Sequence, residues 1–229
     1  MPDPVPNADL MRSLGRLVRG LSALFWGLPA ALVFCFHTAK AETLQSFGII
    51  PPLVCTGLLA YGLWLIGSFQ KQERVWRDTL DGARLLSLMN FFLSPFLFWA
   101  NRVPGNSFFQ VMVLLLISSG LLFLASLNLV LQRLGAMLPD EGLRQETRQF
   151  TVLNLNLVGV TFFLAILYHA LAHSRFLPRY LPFLLIMLER GGWLPLFLVL
   201  LPLAMTMALL WKTKEVILDN VFSTKQPGV

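Results

Sequence analysis

The chain has 229 residues, of which 56% are hydrophobic and 13% charged, and a formal net charge of +6. Soluble domains carry about a quarter charged residues, so this composition leaves too little polar surface to cover a water-facing globule. The basic balance does not indicate nucleic acid, because the Lys and Arg side chains flank apolar stretches and form no single stripe.

In chain order, residues 1–19 open polar and Pro-rich and then turn basic at Arg12, Arg16 and Arg19. Apolar runs follow at about 20–39, 49–69, 85–100, 108–131, 152–172 and 193–211. Each is read as a transmembrane helix, since a hydrocarbon core about 30 Å thick needs about 20 apolar residues. The third run is short, and Pro95 is expected to kink it. Residues 71–84 and 139–151 read as helical links on the cytoplasmic side, the second continuing into the fifth span behind Pro139 and Asp140. Residues 212–222 extend the sixth span along the membrane surface. The run 176–188 is too short to cross and reads as an interfacial or re-entrant helix. The rival is one long helix from 181 to 211, which buries Glu189 and Arg190 at a cost.

The fold class expected is therefore an all-α polytopic bundle of six transmembrane helices in one domain, residues 1–229, with the lipid bilayer as its first partner. Alternating the segments puts 13 Lys and Arg on one side and 5 on the other. Short basic loops stay cytoplasmic, so both termini are expected inside, in a cell (inner) membrane. One rival reading makes residues 1–41 a cleaved signal peptide, since Ala39-Lys40-Ala41 follows a basic and then an apolar stretch.

Two sets of polar residues fall within or beside the spans. Asn90, Asn128, Asn154 and Asn156 lie toward the cytoplasmic ends of spans three, four and five. An Asn in hydrocarbon needs a partner, so these read as hydrogen-bonding contacts between helices, or else as the lining of a polar pocket. Asn154 and Asn156 are two residues apart and cannot share a face, so one of them is expected to make such a contact. Ser118, Ser119, Gly120 and Ser126 give the fourth span a face for close approach. His37, His169 and His173 end spans one and five at one level. His169 and His173, spaced i,i+4, share a face and form a candidate metal pair, or one of them a haem clamp with His37. The simpler reading is interfacial rings without a metal or cofactor. Cys35 and Cys55 read as buried thiols.

Residues 78–84 (DTLDGAR) resemble the start of the CDP-alcohol phosphatidyltransferase signature. That signature needs a spacer between the Gly and the Ala-Arg, and a second pair of aspartates further along. Here Gly82 abuts Ala83-Arg84 and no Asp follows before Asp140, so the metal site is missing. Phosphate loops and the HExxH and GxSxG patterns are absent as well. No charged residue lies inside a span, as proton carriers and voltage sensors require. The expectation is a non-enzymatic membrane component, meaning a subunit, assembly factor or scaffold, with other membrane subunits or a second copy as partners. A carrier for a neutral or lipid-like solute is the first alternative, and a haem- or metal-binding redox subunit the second.

Overall fold

The computed structural model describes residues 8–40, 47–69, 73–138, 141–173 and 193–223. Helix accounts for 92% of these, and no strand occurs among them. The helices are α1 (Ala8–Lys40), α2 (Ile50–Ile66), α3 (Arg74–Leu93), α4 (Phe96–Arg102), α5 (Ser107–Met137), α6 (Glu141–His173) and α7 (Trp193–Ser223). Among the described residues three stretches, Met11–Ala39, Arg74–Arg102 and Ser107–Met137, are long and apolar enough to cross a membrane. The expected helix at 176–188 and residue Ala41 of the expected cleavage site lie outside the described residues.

Local chemistry explains most of the helix boundaries. Pro51 and Pro52 occupy the first helical positions of α2, where a missing N–H costs nothing. The second apolar run extends to Phe69, yet the helix stops at Ile66. The backbone tightens there, with Ser68 N–H donating to Leu65 O and Phe69 N–H to Ile66 O, the i→i−3 pattern that closes a helix end. The buried indole of Trp76 then donates Nε1–H to Phe69 O at 3.1 Å, which fixes the turn into α3.

Residues 74–84 of the polar link and the third span are not separate elements. One helix runs from Arg74 to Leu93, because nothing between them breaks the backbone ladder. The break comes at Ser94 and Pro95. Proline has no N–H for the carbonyl four residues back, here Phe91 O. The Ser94 hydroxyl takes that carbonyl at 2.9 Å, and its oxygen lies 3.4 Å from Thr56 Oγ1 of α2, whose own proton goes to Pro52 O at 2.7 Å. The kink thus sits in contact with α2. Asn106 caps α5 by accepting from Phe108 N–H at 3.0 Å. α6 runs unbroken from Glu141, and α7 continues past Trp211 to Ser223.

Taken with α3 and α4 as one kinked rod, six rods form a ring. Each packs on its neighbour in the chain, and α7 closes back onto α1; α5 also meets α7, and α4 meets α1. Leu17, Leu21, Leu24 and Leu28 of α1 recur on one face and are buried against Leu59, Leu63 and Ile66 of α2. Leu80, Leu127, Leu131 and Leu210 continue the same core into α3, α5 and α7. Between α1 and α2 the backbones nearly touch. A Cβ on Gly20 would lie 2.8 Å from Gly62 O, and one on Gly62 would lie 3.1 Å from Gly20 O. Gly27 similarly leaves room for Leu59. Membrane helices associate through such small-residue faces, because lipid provides no hydrophobic drive between them.

Candidate functional site

One cluster of buried polar side chains lies where α5, α6 and α7 meet. Asn128, Thr151, Asn154 and Thr206 are each fully buried. The α5–α6 turn brings α5 and α6 side by side in antiparallel register, which sets Gly135 against Thr147 and Asn128 beside Thr151. α7 then lays Pro202 and Thr206 against both. Thr206 Oγ1 accepts from Asn128 Nδ2 at 2.9 Å and from Asn154 Nδ2 at 2.8 Å, and donates to Pro202 O at 2.8 Å. Both lone pairs and the single proton of that hydroxyl are thereby used. Asn154 Nδ2 also reaches Pro202 O at 3.1 Å, Asn128 Nδ2 reaches Leu124 O at 2.8 Å, and Thr151 Oγ1 donates to Asn128 O at 3.4 Å.

This junction holds three helices together through one hydroxyl. Among the described residues no titratable side chain joins it. Two acceptors are left over, Asn128 Oδ1 and Asn154 Oδ1, both buried and without a donor among the described residues. Reversing either amide would set Oδ1 against a hydroxyl oxygen whose proton already goes to Pro202, so the orientation is dictated by Thr206.

The four asparagines do not form one site. Asn90 lies on α3 and accepts from Ser119 Oγ of α5 at 2.5 Å, with both side chains buried. Ser119 and Asn128 are nine residues apart on α5, half a turn out of phase at about 100° per residue. α5 therefore carries one polar tie toward α3 and another, on its opposite face, toward α6 and α7. Asn156 is exposed on the outer face of α6, at a shallow cavity of about 470 Å³ lined also by Gln145, Arg148 and Gln149. A double-mutant cycle on Asn90→Leu and Ser119→Ala is expected to give a coupling of about 0.6–1.7 kcal/mol, the span measured for such bonds in membrane bundles. Additive effects of the two changes, measured by unfolding in mixed micelles, would show that the pair is not bonded.

The histidines are placed as follows. His37 is exposed near the end of α1, its Nδ1 3.1 Å from Val33 O. The backbone of α6 reaches His173, but the side chains of His169 and His173 lie outside the described residues. Cys35 is half-buried and Cys55 buried, and both are free thiols.

Sequence reasoning missed Thr206, the hub of the junction. The one available signal was a lone hydroxyl in an apolar span, four residues after Pro202 and on the same helix face. No family model, curated protein sequence or solved structure matches the chain.

Proposed function

We propose that the chain is an integral membrane protein of six spans with both termini in the cytosol. It acts as a non-enzymatic membrane component, a subunit, assembly factor or scaffold whose outer faces receive partner helices or a second copy. The observation that carries this reading is the distribution of apolar side chains. Trp26, Val54, Trp64, Phe92, Phe163 and Phe197 are each at least 60% exposed, while the interior holds the asparagine and threonine ties. In water so much outward apolar surface would be an association site; in a bilayer it faces its own solvent, and polar groups go inside to find partners. The count of six rods, each continuous with or close to an apolar run, supports six crossings. Two basic links and two basic terminal segments on one side support the sidedness.

Impermeant-maleimide labelling of intact cells tests the topology, in a chain with Cys35 and Cys55 replaced. Gly105→Cys, in the turn before α5, is expected to label, whereas Asp78→Cys labels only after the membrane is opened. The reverse pattern would overturn the sidedness. Purification of the full chain in mild detergent tests the role, and a stoichiometric partner or second copy is expected. A lone chain in every mild detergent would remove the component reading. It would shift weight to a neutral-solute pathway, the reading favoured by the two spare amide oxygens of Asn128 and Asn154.

A further inference from the structure

A second cluster lies apart from the junction, where the first three helices come together near the α2–α3 turn. It is a cleft of about 500 Å³ lined by Arg16 of α1, Trp64 of α2, Gly67 and Ser68 of the turn, and Trp76, Arg77, Asp81 and Arg84 of α3. Three arginines against one aspartate leave it strongly positive. Its walls are indole rings and the stems of long side chains.

Arg84 is the most buried cation of the three. Its guanidinium lies over the Trp64 ring, 5.4 Å from the centroid, and donates from Nη1 to Asp81 Oδ1 at 3.1 Å. Gly67 makes this seat possible, because a Cβ there would fall on the Arg84 Nη2 position. The side chain is 25% exposed, so most of the cation is out of water. Its Nε–H has no acceptor among the described residues. Among the described residues Asp81 engages one of its five donors and the Nε–H is closed off from solvent, so an oxyanion would be received at the remaining Nη N–H groups. Arg16 and Arg77 are exposed on the rim of the same cleft and add two positive charges to it. Trp64 is itself outward-facing, at 67% exposure, so one wall opens toward whatever surrounds α2.

We propose that this cleft binds the phosphate of an anionic phospholipid from the leaflet that faces the α2–α3 turn. The arginines take the phosphate and Trp64 packs against the upper acyl or glycerol region. The assignment rests on the membrane reading above, under which the cleft sits at the cytoplasmic headgroup level. That leaflet is the anionic one, and basic pockets between helices on that side accept acidic headgroups. The outward apolar wall favours a lipid over a free phosphate, which would use the arginines but leave the exposed part of Trp64 uncovered.

Native mass spectrometry of the full chain, exchanged into nanodiscs of phosphatidylcholine doped with phosphatidylglycerol, tests this. One retained phosphatidylglycerol per chain is expected. Arg16→Gln combined with Arg77→Gln is expected to weaken retention about thirtyfold, from the usual worth of a basic residue beside an anionic surface. Both side chains are exposed, so the fold should survive; Arg133→Gln, an exposed cation of α5 outside the cleft, should leave retention unchanged. Equal retention by the double variant, or equal retention of phosphatidylcholine, would overturn the site. Thermal stabilisation by millimolar inorganic phosphate without lipid retention would overturn the lipid assignment in favour of a soluble phosphate. Recovery of the chain from cells without detergent would instead defeat the membrane reading, and that outcome is seen before any lipid is added.

Discussion

Gly20→Leu is expected to destabilise the folded chain by about 3 kcal/mol, at the upper end of the usual cost of overfilling a packed interior. The reason is backbone against backbone. The first added carbon alone would stand 2.8 Å from Gly62 O and 3.1 Å from Ile66 N. Neither atom can rotate away, so α1 and α2 must separate, and the Leu21, Leu24, Leu63 and Ile66 layer loosens with them. Gly20→Ala carries the same sign with a smaller size, about 1 kcal/mol, since the better helix propensity of Ala returns part of the collision cost. Gly82 gives the opposite result. It lies on the exposed face of α3 with nothing within 4 Å of an added Cβ, so Gly82→Ala should stabilise by about 0.5–1 kcal/mol. Reversible unfolding in mixed micelles, followed by tryptophan fluorescence, measures all three. If Gly20→Ala and Gly82→Ala shift stability in the same direction, the helix pair is not packed this closely.

Thr206→Val should cost about 2 kcal/mol, even though the two side chains have the same shape. The change removes the single acceptor shared by the amides of Asn128 and Asn154, and the donor to Pro202 O. Two fully buried N–H groups then lose a partner where no water reaches them. Thr206→Ser keeps the hydroxyl and should stay within about 0.5 kcal/mol of the parent. The decisive comparison is Thr206→Val placed on Asn128→Leu with Asn154→Leu. With the amides gone the valine no longer strands a donor, so its cost should fall close to zero. An undiminished cost in that background would mean that Thr206 acts through its shape and not through its hydroxyl.

The all-helical architecture was legible in the sequence because it follows from local quantities. Apolar runs, their polar bounds and the proline positions all act on the residues that carry them. The missing N–H of Pro95 costs the third rod a backbone bond wherever that rod is packed, although α1 and α7 run on through Pro29 and Pro202. The continuity of residues 141–151 with the fifth run needs only the absence of a breaker. The length of α2 was harder to read, because Phe69 is as apolar as the residues before it. The helix ends early since the turn is drawn in by Trp76, which is seven residues further on.

The choice among the polar residues belonged to the tertiary structure. Asn154 and Asn156 look alike in the sequence, two positions apart in the same apolar run. The rotation of α6 against α7 buries the first on Thr206 and turns the second outward. Asn90 and Asn128 likewise seemed to share a level, but the half-turn between Ser119 and Asn128 sends their contacts to opposite faces of α5. Gly20 and Gly62 are unremarkable in composition and matter only because α1 and α2 cross there. Composition and periodicity decide what a segment is and which solvent suits it, because both are sums over near neighbours along the chain. Which hydroxyl meets which amide depends on how the rods are turned and crossed, and those angles come from packing between residues tens of positions apart.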